Sequence, residues 1–115
     1  MHKVQLSYQL SAERSPNALI RNPLLDLLHA VREHGSISGA ARHLGLSYRH
    51  VWGALKDAEQ SLGHPLIVWE KGMPAELSEF ASKLLWAERQ AQARLAAPIE
   101  SLMAEIERTF AVAFD

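Results

Sequence analysis

The sequence predicts a mainly α fold carrying one small β-hairpin, and three observations predict it. Apolar residues recur at helical spacing in three successive runs, each closed by a glycine, at Gly35, Gly45 and Gly63. A short β-branched and aromatic run, Leu66-Ile67-Val68-Trp69-Glu70, leads into a turn signal at Lys71-Gly72-Met73-Pro74. A long final helical pattern follows from Ser78.

The elements follow in order. From Lys3 to Leu10 the apolar residues Val4, Leu6, Tyr8 and Leu10 alternate with polar ones, which predicts a half-buried N-terminal strand. Ser15-Pro16-Asn17 reads as a loop, after which Ala18-Leu19-Ile20 can tuck against the core. Asn22-Pro23 starts the first helix, because Asn caps free N–H groups and a proline at the first helical position loses no hydrogen bond. Leu24, Leu27, Leu28 and Val31 form its inward side. Ser38 is expected to cap a second, short helix through Ala40, Ala41 and Leu44, and Ser47 a third with Val51, Ala54, Leu55, Ala58 and Leu62 facing inward. Ala75-Glu76-Leu77 returns beside the Leu66 run to complete the hairpin. Ser78 caps a last helix reaching at least Ala97, with Pro98 either kinking it or opening a new segment. Trp69 and Trp86 are read as core residues, while Trp52, at the border of the buried stripe, either packs against the wing or the first helix or presents its edge to DNA, with packing favoured.

Composition narrows the function. The 115 residues have room for one core, and 48% hydrophobic with 22% charged residues suits a folded protein. The absence of cysteine excludes disulfides and thiolate chemistry and fits a reducing cytoplasm. No signal peptide and no apolar run near the roughly 18 residues of a membrane span are visible. The six histidines show no metalloprotease-like spacing and no clustered carboxylates or cysteines to assist them, so neither metal nor cofactor is expected. With the serines explained as caps, no catalytic arrangement stands out and no enzyme activity is expected.

The net charge of −1 does not itself point to a polyanion partner, but its distribution does. Between His34 and Lys56 there is no Asp or Glu, while Arg42, His43, Arg49, His50 and Lys56 all fall there. Two short helices joined at Gly45, with small Ala40 and Ala41 at their contact, make a helix-turn-helix whose second member turns Tyr48, Arg49, His50, Gly53, Lys56 and Asp57 outward. Its first turn is the part that can enter a major groove, where Arg49 can read a guanine edge and Ser47 can hold a phosphate. The DNA-contacting set is therefore Ser47, Tyr48, Arg49, His50, Gly53 and Lys56 for reading, with Ser36, Ser38, Arg42 and Lys71 touching phosphates.

The run from Ser36 to Ser47, followed by Val51, Ala54, Leu55, Glu59, Leu62-Gly63 and Pro65-Leu66, resembles the N-terminal domain of LysR-type regulators. The closer resemblance is to the molybdate-responsive, ModE-type regulators, through the leading strand and the signature Ser47-Tyr48-Arg49-His50-Val51-Trp52 with Ala54. The resemblance implies a winged helix-turn-helix fold, dimerisation through the long C-terminal helix, and promoter binding controlled by a separate oxyanion-sensing domain. The chain departs from the ModE pattern in its short wing, which leaves Lys71 as the obvious phosphate-reaching side chain there, and in having Ser78 and Ala81 where Thr and Gly are usual.

The expected organisation is a DNA-binding domain over 1–78 and, over 79–115, a long linker and dimerisation helix leading to an effector domain missing here. Leu84, Ala91, Leu95, Leu102, Ile106 and Phe110 supply the dimer stripe, and the apolar alternation at the chain's end reads as the opening of that further domain. The expected partners are a palindromic double-stranded operator and a second copy of the chain, with no membrane, and with an oxyanion effector acting only through the missing domain. A winged-helix protein–protein adaptor without DNA binding is the alternative, kept open by the near-neutral charge.

Overall fold

Capping chemistry sets the boundaries of the helices in the computed structural model, which describes residues 2–13, 21–70 and 72–114. Helix α1 (Pro23–His34) opens at Asn22, whose Oδ1 accepts the Leu24 and Leu25 N–H groups at 2.9 and 3.2 Å. Helix α2 (Ile37–Leu44) opens at Ser36, and α3 (Tyr48–Leu62) at Ser47, each hydroxyl accepting an N–H three residues on. All three close on glycines in the left-handed conformation, Gly35, Gly45 and Gly63. At Gly45 the Leu46 N–H returns to the Ala41 carbonyl at 2.9 Å, which ends α2 within one residue and turns the chain straight into α3.

Strands β1 (Ile67–Val68) and β2 (Glu76–Leu77) form the antiparallel hairpin, with Ile67 opposite Leu77 and Val68 opposite Glu76. Helix α4 (Glu79–Phe114) then runs for 36 residues. Ser78 is its cap: its hydroxyl accepts the Ala81 N–H at 3.1 Å and donates to the Pro65 carbonyl at 2.7 Å, while its own N–H donates to the Leu66 carbonyl at 2.9 Å. The root of α4 is thereby fastened to the base of the hairpin.

One core joins these elements. Leu28, Val31, Ala40, Val51, Leu55, Leu66, Ala81 and Leu85 are essentially without solvent contact, so α1, α2 and α3, the hairpin and the first turns of α4 bury a common apolar centre. Each large aliphatic side chain so buried contributes roughly 1.5–3 kcal/mol. Beyond those turns α4 leaves the body. At 1.5 Å per residue it is about 54 Å long, which accounts for most of the 60 Å extent of the molecule.

The structure corrects several sequence expectations. The N-terminal segment forms no strand among the described residues: Val4, Leu6, Tyr8 and Leu10 are 86%, 69%, 75% and 67% exposed. Its start touches the body, where His2 donates to the Leu62 carbonyl and its ring lies tilted against those of His64 and Phe80. Ser38 lies inside α2 rather than capping it; Gly35 ends α1 so abruptly that Ser36 becomes the cap and Ile37 the first, buried residue. Trp69 and Trp86 are surface residues: Trp69 lies just past the end of β1, and Leu85 beside Trp86 takes the inward position. Of the two alternatives at Pro98, the opening of a new segment is overturned, because α4 continues through it. Residues 14–20, with the proposed Ser15-Pro16-Asn17 loop and the Ala18-Leu19-Ile20 contact, lie outside the described residues, as does Lys71.

Candidate nucleic-acid interface

Helix α3 has two sides of different character. Val51 and Leu55 are buried and Ala54, Ala58 and Leu62 half-buried, which fixes the inward direction. At about 100° per residue the opposite direction falls on Arg49, Gly53, Lys56 and Asp57. Tyr48 and Trp52 flank that strip on one border and His50 on the other. Tyr48 is 52% exposed and Trp52 44%, and Arg49, His50 and Lys56 are exposed as well. The sequence reading of the reading surface is thus gathered on one open face, led by Ser47 at its N-terminus.

Trp52, which the sequence leaves between packing and DNA contact with packing favoured, is exposed on this face. Its ring lies beside Lys56, whose Nζ stands 5.6 Å from the ring centre, close enough for a cation–π contact. A Cβ built on Gly53 would meet nothing within 4 Å, so glycine is not demanded by the protein itself. It costs α3 about 1 kcal/mol against alanine, an expense consistent with a backbone kept bare for a partner.

The remaining predicted contacts divide. Ser38 and Arg42 are exposed on the same side of α2, four residues apart, whereas Ser36 is half-buried and its hydroxyl is engaged by the Gly39 N–H at 2.9 Å. Neither Arg42 nor Arg49 pairs with an acid among the described residues, so both guanidinium groups are open to an anion. Lys56 differs, because its Nζ lies 3.3 Å from Glu59 Oε1. Lys71 cannot be located relative to these groups, being outside the described residues.

Glu59 is a residue whose role the sequence did not disclose. Its other oxygen accepts the Leu66 N–H at 2.7 Å and the Ile67 N–H at 3.4 Å, tying α3 to the first strand of the hairpin. Partial burial works against its charge, yet the hydrogen bonds from Leu66, Lys56 and Ile67 prevail and hold its carboxyl below the usual range. Beside His50, Arg21, Leu24, Leu44, Leu46, Ala54 and Ala58 line a shallow apolar depression between α1 and α3. No helix of the described residues is long and apolar enough to cross a membrane.

A family model described as "Bacterial regulatory helix-turn-helix protein, lysR family" matches residues 23–82, just over half of the chain and the stretch from α1 to the root of α4. The molybdenum-pterin-binding protein MopA of Rhodobacter capsulatus is 34% identical over 67 residues, which are 58% of this chain and 25% of MopA. The chain therefore spans about a quarter of the length of that relative. Among solved structures, ArgP from Mycobacterium tuberculosis is similar with a TM-score of 0.52 and 30% identity, over 76% of this chain and 31% of ArgP. The DBD of CbnR in complex with DNA is similar with a TM-score of 0.59, over 72% of this chain and 94% of that one; at 22% identity this likeness shows the fold.

Proposed function

The chain belongs to the lysR family of bacterial regulatory helix-turn-helix proteins, and from that premise we propose that it is the DNA-binding part of a transcription regulator that reads a duplex with the outward face of α3. The observation that carries this reading is that face itself: a strip of Arg49, Gly53 and Lys56 flanked by Tyr48 and Trp52, turned away from the core and open to solvent. Arg49 donates two hydrogen bonds to a guanine edge, and Tyr48 and His50 reach bases or phosphates in the first turn. Ser47 with the first N–H groups of α3 holds a phosphate, joined by Ser36, Ser38 and Arg42 from α2 and by Lys71 from the wing. Such a domain has no catalytic part, and reading genomic DNA puts it in the cytoplasm.

Residues 1–78 are the DNA-binding unit of this reading and 79–115 the linker that pairs two copies. The exposed Leu95, Leu102 and Phe110 of α4 support the pairing, since a second α4 would cover them. A two-fold dimer requires an approximately palindromic operator. The likeness to MopA supports the finer, ModE-type reading, in which a separate domain senses a molybdate-like oxyanion.

The test is selection of duplexes from random DNA followed by titration of the selected site over a range of salt. Expected is a palindromic consensus and an affinity that falls with salt at a log–log slope of about −0.9 for each phosphate neutralised. Absence of any consensus, together with an affinity indifferent to salt, would favour an adaptor that binds protein instead.

A further inference from the structure

The ends of α1 and α2 carry a cluster that the DNA-binding reading does not use. Glu33 and His34 close α1, and His43 is the penultimate residue of α2. All three are exposed, and one ligand atom from each lies within 4.8 Å of the others. We propose that Glu33, His34 and His43 form a surface site for a divalent transition-metal cation of the zinc class, bridging the two helices.

The donor set is two imidazole nitrogens and one carboxylate oxygen, a combination that suits zinc, nickel or copper and is poor for magnesium or calcium. Three protein ligands leave a position for water, as in zinc sites that are not closed. The placement of His34 is fixed by the fold. A Cβ at Gly39 would sit 2.9 Å from the His34 Cβ, so only a glycine there lets His34 lie across α2. Gly39 and His43 are four residues apart and share a helix face, which brings the His43 ring to 4.8 Å from that of His34. Both histidines also stand in the last turn of a helix, where the dipole favours positive charge. The two histidines are nine positions apart and on different helices, which is why spacing along the sequence did not expose them.

The site would have a structural consequence. The Gly35 carbonyl, next to His34, accepts the Ala75 N–H at 3.0 Å, so a cation holding His34 to His43 fastens the corner on which the hairpin hangs.

Zinc titration of the untagged chain near neutral pH, by competition with a chromogenic chelator, tests the proposal, with magnesium as the hard-cation control. One zinc per chain is expected. His43→Gln and Glu33→Gln should each weaken it, His43→Gln by more than the roughly 10- to 100-fold that loss of a merely supporting residue costs. Both side chains are exposed, and circular dichroism checks that each variant is folded. His64→Gln reports on the other imidazole pair, His2 and His64, whose rings are 5.6 Å apart, and should leave zinc binding unchanged. Zinc binding that survives His43→Gln, is lost in His64→Gln, or falls short of one per chain overturns the assignment.

Discussion

Helices α3 and α4 both leave much of their surface to solvent, but they leave different chemistry there. The 15 residues of α3 spend their apolar positions on the core, with Val51 and Leu55 buried, and bare a polar and cationic strip. The 36 residues of α4 bury only Ala81 and Leu85, with Phe80 half-buried beside them, and bare Leu95, Leu102 and Phe110 along one side of the projecting part. A cationic strip with aromatic borders matches a polyanion, whereas an apolar stripe on a long helix matches another helix. In the proposed reading the two helices therefore serve two kinds of partner, held together by one small core.

The sharpest way to break this contrast is to truncate one leucine on each helix. Leu55→Ala should cost about 2–5 kcal/mol of stability in urea unfolding, because the cavity lies at the centre of the core. Leu102→Ala should leave the unfolding of the α1–α3 body nearly unchanged and instead lower the sedimentation-measured fraction of dimer; equal losses in unfolding would mean that α4 folds back on its own body. Next in size, Arg49→Ala should weaken operator binding by about 1–3 kcal/mol and relax selectivity at one base pair, measured by anisotropy on a panel of single-substitution duplexes. An equal loss on every duplex would make Arg49 a phosphate contact.

Glu59→Gln tests the tie between α3 and the hairpin. Near neutral pH it should cost about 1–2 kcal/mol. The sign follows from the lowered pKa of Glu59. The charged form is favoured in the folded state, so its contribution is full above the ordinary carboxylate range and fades as pH falls through the folded value. The difference between the two proteins should accordingly shrink in acid. The smallest effect has opposite signs on the two properties of α3: Gly53→Ala should raise thermal stability by up to about 1 kcal/mol, since the added methyl meets nothing, and should weaken DNA binding if the bare backbone lies against the duplex.

Much of the fold was legible because its punctuation is local. Asn22, Ser47 and Ser78 act as caps through contacts a few residues away, and Gly35, Gly45 and Gly63 take left-handed conformations that glycine adopts without steric cost. The inward stripe of α3 was legible for the same reason, through its period. What was not legible depended on partners distant in sequence. The alternation of Val4, Leu6, Tyr8 and Leu10 describes a face and not the strand to bond with, and among the described residues no strand pairs with it. Periodicity likewise cannot rank Trp86 against Leu85 when a helix is long and mostly unpacked, nor tell that Trp52 would fall on the open side of α3. At Ser36 and Ser38 two candidate caps stood two positions apart, and the tightness of the turn at Gly35 decided between them.

The Ser78 clasp has a mechanical meaning. Because its hydroxyl and its N–H seize the Pro65 and Leu66 carbonyls, the axle on which α4 would pivot is the same stretch of chain that starts the wing. A helix of about 54 Å is a long lever, so a tilt of about 10° at that axle sweeps its far end through about 9 Å. In the same rotation a point about 5 Å from the axle moves by less than about 1 Å, so the base of the hairpin shifts far less than the tip of the helix.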